Sequence, residues 1–474
     1  MLARLYPTQR YLALLVVILL VPVAARAQDA GTAPAGVEAA PTDAAAAPTD
    51  AAAAPANAGG AAAAPAGPGE GETERPTWGA LDATGSGFLL GRTDLGEMSL
   101  SGYAVIRYIN QLPATQTFVD HLGNTNVIDP RNDIQFHRAM LHFRGWLFDP
   151  KIRYQVTVWS VLSTNQTTLY GFAGYQFHKK FNAYAGINTI GGSRSVMGSH
   201  PFWLANDRVL ADEFFRPGFT GTAWVNGELT PGFWYQVAAG NSLSQLGFTA
   251  KQLTRDIATG GTVWWMPTTK EFGPNGSFDD WEHHENVATR FGVSSYRSRE
   301  NRFNQNSNPA ADNYQVKLAD SLLLFSTGAL APDVTVNFAT VRGASVDAGL
   351  KYRGIFLQTE IYQRWLYDFD ADGALPVSSI HDSGFYVQGA FYPIKQKLEL
   401  YGATSWIYGD KGAGFDTSHE YIQGLNYYPA HQTRNIRFNT QVIEVDRSPQ
   451  SSLFGFYVGG QKGTTLSSAF SFYF

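Results

Sequence analysis

The run Arg138–Ser160, "RAMLHFRGWLFDPKIRYQVTVWS", alternates between an apolar and a more polar set of side chains at every second residue. Ala139, Leu141, Phe143, Gly145 and Leu147 share one face, and Arg138, Met140, His142, Arg144 and Trp146 share the other. After "DPK", read as a tight turn around Pro150, Ile152, Tyr154, Val156 and Val158 oppose Arg153, Gln155, Thr157 and Trp159. A period of two is the period of a β-strand and excludes a helix. The pattern returns in "FTGTAWVNGEL", "IFLQTEIYQRW", "SGFYVQGAFY" and "KLELYGATSWIY". Two architectures satisfy it: a soluble sandwich with the apolar face inward, or a membrane barrel with that face outward.

Connection lengths discriminate between the two. Short links fall at 149–151, 178–180, 230–232, 353–354, 393–396 and 430–434. Between them lie longer polar stretches at 111–132, 190–217, 242–261, 297–342, 368–382, 409–418 and 446–463. "STNQTT" is a short member of the long class, and 268–286 a long member of the short class. Short turns at one end and long loops at the other are the arrangement of an outer-membrane barrel, with periplasmic turns and external loops. The expected fold is therefore an all-β transmembrane antiparallel barrel. Its strands are placed near 100–110, 133–148, 152–162, 168–178, 181–189, 218–229, 233–241 and 262–267, then 287–297, 343–353, 355–367, 383–392, 397–408, 419–429, 435–445 and 464–474. That makes 16 strands with both ends on the periplasmic side; admitting "ADSLLLFST" (319–327) and "SLFGFYVGG" (452–460), here assigned to loops, would make 18.

The N-terminus supplies the compartment. Arg4 and Arg10 precede the apolar run Tyr11–Ala25, which is too short for a membrane helix of about 20 residues, and Ala25 and Ala27 suit signal peptidase. Residues 1–27 are read as a cleavable signal peptide, and the protein as a resident of the Gram-negative outer membrane. Residues 28–80 are Ala/Pro-rich, with "APTDAAA" twice, and are expected to form a disordered periplasmic spacer able to contact the cell wall or a periplasmic partner. A lead-in segment, 81–97, then precedes the barrel domain, 98–474. The chain has no cysteine, which excludes disulfides and thiolate metal sites. Of its 40 acids against 35 bases, seven lie in the spacer, so the barrel domain is close to neutral and gives no argument for nucleic acid.

The stretch "FHRAMLHFRGWLFDPKIRYQVTVW" resembles the first strands of the phosphate-selective porin O and P family. The likeness continues in "FTGTAWVNGELTPGFWYQVAAGN", "DAGLKYRGIFLQTEIYQRWLYD", "GLNYYPAHQTRNIRFN" and the terminal aromatic. It extends over most of residues 98–474 and rests on patterned strands, with no catalytic motif. The resemblance implies a trimeric porin of 16 strands that passes small anions, phosphate among them, by diffusion.

Taking the face opposite each apolar one as the lumen gives Arg107, Arg138, His142, Arg144, Arg153, Arg290, Lys351, Arg364 and Arg437 as pore-lining candidates, with acids Glu228, Asp347, Glu360 and Glu399. Glu360 and Arg364, two inward steps apart on one strand, are expected to pair. A basic lumen attracts anions. The external stretch 190–217 is the expected constriction, with Arg194, His200, Arg208 and Arg216 as its candidate cations. Asp207, Asp212 and Glu213 balance them, a departure from the concentrated positive charge the family implies. Lumen-side Trp159, Trp224 and Trp234 suggest an alternative porin for neutral or aromatic solutes; a second alternative is an envelope anchor working through the spacer.

"DFDADG" sets Asp368, Asp370 and Asp372 at calcium-loop spacing, but Ser379 stands where the bidentate Glu is needed. The adjacent histidines of "EHHE" (Glu282–Glu285) are poorly spaced for one zinc. No cofactor and no enzymatic activity are expected. The chain ends on "SSAFSFYF", in which Phe470, Phe472 and Phe474 form a lipid-facing row and a signal for the barrel-assembly machinery, and the last strand is expected to pair with the first near Tyr103.

Overall fold

The alternating segments are strands in the computed structural model, which describes residues 87–161, 166–196, 202–245, 250, 254–273, 276–306, 315–430, 433–450 and 456–474. The signal peptide, the spacer and His200 lie outside the described residues. In chain order the strands are β1 (Phe88–Thr93), β2 (Gly96–Leu112), β3 (Gln116–Val119), β4 (Thr125–Ile128), β5 (Asn132–Leu147), β6 (Asp149–Val161), β7 (Gln166–His178) and β8 (Phe181–Asn188). They continue as β9 (Thr220–Thr230), β10 (Phe233–Gly240), β11 (Ala258–Trp265), β12 (Ala288–Asn301), β13 (Val336–Tyr352) and β14 (Ile355–Ala371). The last five are β15 (Ser379–Ile394), β16 (Leu398–Tyr408), β17 (Thr417–Tyr427), β18 (Ile436–Asp446) and β19 (Gly463–Tyr473). Short helices α1 (Leu210–Phe215) and α2 (Arg302–Asn306) lie in the connections.

Strands β2 and β5–β19 form a closed antiparallel barrel of 16 strands, each paired to its neighbour in sequence, with β19 returning to β2. The two further candidate segments add none. Residues 319–327 are turns with one isolated bridge, Lys317 to Leu323, and the described part of 452–460 is not strand. The barrel is inside-out relative to a soluble protein. Ile134, Leu169, Val237 and Ile361 are exposed on its outer face, while Arg107, Lys351, Glu360 and Arg364 are wholly buried on the inner one. Only a lipid surround makes such an outer face favourable.

Three local features depart from the sequence expectation. The reversal before β6 is at Phe148, in the left-handed region at φ 63°, with Leu147 paired to Asp149, so "DPK" opens the strand and is not the turn. β13 and β14 run several residues further out than the polar composition suggested, because they pair with each other as far as Val336 and Ala371; Asp368 and Asp370 are therefore strand residues. β5 carries a bulge: Val105 pairs with Arg138 and Ile106 with Phe136, leaving His137 as the extra residue. His137 and Arg138 consequently both point inward and are buried. The lead-in segment contributes β1, which pairs antiparallel with the start of β2, below the point where β19 ends.

Closure is made at the C-terminus. Tyr473 pairs with Tyr103, and the last residue exchanges two backbone hydrogen bonds with Gly102: Phe474 N to Gly102 O at 3.0 Å and Gly102 N to Phe474 O at 3.2 Å. Phe472 is exposed on the outer face, whereas Ser467, Ala469 and Ser471 are buried on the inner one. Deleting Phe474 removes both bonds and the ring that packs 5.2 Å from Phe88. The expected result is a clear fall in folded barrel in outer-membrane fractions, read by heat-modifiable electrophoretic migration, with the conductance of the surviving barrels unchanged. Normal barrel levels would count against this role for the terminus.

Candidate functional site: the barrel interior and the segment folded into it

The connection between β8 and β9 does not stay outside. Its described part turns into the barrel and crosses it, bonding to walls on both sides. On the β2–β5 side, Arg138 donates to Asp207 at 3.0 Å, and Arg107 lies 3.7 Å from the same carboxylate. On β14 and β17 the backbone of the segment meets wall carboxylates: Arg194 N donates to Glu360 at 2.9 Å and Leu210 N to Glu420 at 2.5 Å. Wall amides and guanidinium groups take its carbonyls, with Arg437 on Trp203 O at 2.6 Å and Asn426 on Leu204 O at 2.9 Å. Helix α1 wedges apolar side chains into the same space. Phe215 stacks on Tyr362 at 5.2 Å, and the Arg364 guanidinium lies 3.9 Å from the centre of the Phe214 ring. Backbone groups inside a barrel need partners, and the wall supplies them residue by residue.

Within the segment, Arg208 donates to Asp212 at 3.0 Å and lies over Trp203, and Arg216 reaches Glu213 at 3.2 Å; the Arg194 guanidinium leaves it to sit 3.9 Å over Phe278, between β11 and β12. All three described candidate cations are buried; Arg208 and Arg216 are compensated by acids of the segment itself, whereas Arg194 donates to the Ser277 carbonyl at 3.3 Å. Lys317, in the connection that precedes β13, is buried beside Glu213 and Arg216; burial pushes its ammonium down to about 7, against the pull of Glu213.

The wall candidates share this behaviour. Arg290 donates to Asp347 at 3.2 Å, Lys351 to Phe272 O at 2.6 Å, and His142 meets the Thr157 hydroxyl at 3.0 Å. Arg107 also donates to Gln135 at 3.1 Å. Arg144 and Arg153 are only half-buried, with Arg153 Nε donating to Gln176 at 3.3 Å. The expected Glu360–Arg364 pair does not form. Four residues along a strand span about 13 Å, whereas Asp382 is directly opposite Arg364 on β15 and takes its guanidinium at 2.7 Å. Glu360 instead accepts from Ser345 at 2.7 Å and Tyr362 at 2.8 Å.

Sequence reading missed Asp382, which lies one residue outside the expected strand, and Glu420, whose inward parity was present but not used. It also missed His137, concealed by the bulge. With Asp382 and Glu420 added to Asp347, Glu360 and Glu399, the β13–β17 wall is rich in acids, while the positive wall candidates are divided between β2–β6 (Arg107, Arg138, Arg144, Arg153) and β12–β18 (Arg290, Lys351, Arg364, Arg437). The tryptophans pack in the wall: Trp159 edge-on to Tyr170, Trp224 stacked on Tyr184 at 5.5 Å, Trp234 stacked on Trp264 at 6.2 Å. Asp368, Asp370 and Asp372 are exposed, and Asp372 accepts from Thr335 N. Among the described residues, the one trio of carboxylate and imidazole groups close enough to share an ion is Asp280, Glu282 and His284. Asp280 is already engaged there by His284 and by Gly354 N.

No protein-family model matches the sequence, and no curated protein matches it. Solved structures do match. Outer-membrane expressed OmpT of Vibrio cholerae aligns with a TM-score of 0.51 at 13% identity, over 81% of this chain and 99% of that one. The anion-selective porin from Comamonas acidovorans aligns with a TM-score of 0.48 at 10% identity, over 80% and 100%. The outer-membrane channel DcaP of Acinetobacter baumannii aligns with a TM-score of 0.48 at 12% identity, over 82% and 100%. At these identities the likeness is one of architecture, and the architecture shared with the Vibrio cholerae protein is that of an outer-membrane β-barrel.

Proposed function

We propose that the protein is an outer-membrane porin that lets small solutes diffuse passively, prefers anions, phosphate among them, and is narrowed by the segment between β8 and β9. The observation that carries this reading is the placement of that segment. It is bonded to the wall at β14 and β17 and, through Asp207, at β2 and the upper part of β5, while Arg144, Arg153, Gln176 and Asn182, on β5–β8, stay partly accessible to water. Solutes entering from the periplasmic end then meet arginines first. Guanidinium groups in a confined, low-dielectric passage lower the entry barrier for phosphate and carboxylate. Compensation of Arg138, Arg290 and Arg364 by Asp207, Asp347 and Asp382 argues for a modest preference rather than a strict filter. A homotrimer follows from the family resemblance and is checked by the mass of the detergent-solubilised complex.

The test is the reversal potential of the full-length protein in a planar bilayer under a salt gradient. Anion preference is expected, together with partial block of chloride current by phosphate. Clear cation preference overturns the anion assignment, and an absence of conductance overturns the channel.

A further inference from the structure

The outer face of β12–β15 is laid out in registered rows. The lowest contains Tyr352, Ile355 and Phe391, and a middle one contains Val293, Val346, Ile361 and Phe385. The row nearest the external rim breaks the apolar pattern: Arg297 on β12 is directly opposite Arg342 on β13, Arg342 opposite Trp365, and Trp365 opposite His381. Ten residues of β13 separate Tyr352 from Arg342. At ~3.4 Å per residue and a tilt of about 40°, this is about 26 Å along the barrel axis, close to the ~25 Å height of the apolar band of such barrels. The arginine row therefore sits where the external leaflet changes from acyl chains to headgroups.

Both guanidinium groups are exposed, and among the described residues neither is in an ion pair or a side-chain hydrogen bond. Like charges directly opposite each other on a sheet are destabilising. Rim charges on β18 are paired by contrast: Asp446 lies 3.1 Å from Lys462 and 3.8 Å from Arg447. The row is also pre-organised. Arg342 lies over Trp365 at 5.5 Å, His381 stacks on the same indole at 5.1 Å, and Gln363 bonds His381 from the row below at 2.7 Å. One step further out, Arg299 donates to the Thr340 hydroxyl at 3.1 Å and to the Asp368 carbonyl at 3.0 Å. The Asp368 carboxylate accepts from Thr340 at 3.4 Å, and the Asp410 carboxylate accepts from His381 N at 2.9 Å.

We infer that Arg297 and Arg342 form a binding site on the outside of the barrel for a membrane lipid whose headgroup carries phosphate. Two adjacent guanidinium groups match the oxygens of a phosphate, whose charge removes their mutual repulsion. The apolar rows beneath, from Val293 to Phe385, would take the acyl chains. A solvated pair of arginines with no lipid preference is the competing account.

The test uses the full-length protein reconstituted in phosphatidylcholine nanodiscs, with and without diphosphorylated lipid A, and counts lipid A retained per barrel by native mass spectrometry after detergent exchange. Arg297→Gln/Arg342→Gln should retain about tenfold less, the loss expected for charge-assisted hydrogen bonds. Arg297→Lys/Arg342→Lys should fall between it and the wild type, and Arg447→Gln should match the wild type. Conductance should be unaltered in all of them, since these side chains face away from the lumen, so the outcome is independent of the channel reading. Wild-type retention by the Gln variant, with folding verified by heat-modifiable migration, overturns the site. Complete displacement of lipid A by excess inorganic phosphate would make it a free-anion site and overturn the lipid assignment.

Discussion

Asp207→Asn should produce a less stable barrel and a more anion-selective channel at once. The Asp207 carboxylate is buried and faces Arg138 at 3.0 Å, Arg107 at 3.7 Å and His137 at 3.7 Å. Asparagine keeps the volume and removes the charge, leaving two guanidinium groups without their shared counter-ion. Breaking a buried pair by removing one partner costs about 3–5 kcal/mol, because the survivors stay desolvated. The same change frees the β2–β5 anchorage of the inward segment. Guanidinium-induced unfolding of refolded barrels should report the loss of stability, and the bilayer reversal potential should move further toward anions. An unchanged reversal potential in a folded variant would mean that this cluster does not border the route of the ions.

The second large effect is expected at Arg364. Its guanidinium donates to Asp382 at 2.7 Å and to Lys317 O at 2.8 Å, and lies over Phe214 in α1. Arg364→Leu strands a buried carboxylate, at a cost of about 3–5 kcal/mol. The informative comparison is with two double variants. Arg364→Leu/Asp382→Leu should recover most of the loss, since a buried ion pair can be exchanged for apolar side chains at little net cost. Arg364→Leu/Glu360→Leu should recover none, because Glu360 is tied to Ser345 and Tyr362 and not to Arg364. With the single variants Asp382→Leu and Glu360→Leu added, the unfolding midpoints of the six proteins form two coupling cycles. Equal recovery by both doubles would show that the partner is set by something other than cross-strand register.

These two cases mark what the sequence could tell. Which way a side chain faces follows from parity, so Arg107, Arg364 and Glu360 were legible as inward residues. The identity of a partner follows from register between strands, which parity does not contain. Arg364 was therefore matched to a neighbour on its own strand, out of reach, and not to Asp382 across from it. The count of strands was readable because turns alternate short and long. The outward extension of β13 and β14 was not, since acids such as Asp368 and Asp370 read as loop when nothing in the composition records that two strands continue to pair above the membrane. The path of the segment between β8 and β9 is set by single bonds to Glu360, Glu420, Asn426 and Arg437 on strands far away in sequence. Length and aromatic content singled it out; its anchors could not be read locally.

The bulge in β5 bears on how such a barrel can change over evolutionary time. Ile134 and Phe136 face out at even positions, and Leu141 faces out at an odd one, so the strand changes phase once, at His137. A residue added elsewhere in a strand would exchange its lipid and lumen faces over everything that follows. Here the change of phase is absorbed within one strand, and it delivers two consecutive nitrogen-bearing side chains to Asp207. Deleting His137 would restore an unbroken alternation with every other residue of β5 still facing its present side. The interior of this barrel can thus gain or lose a ligand through a change in chain length as well as through substitution.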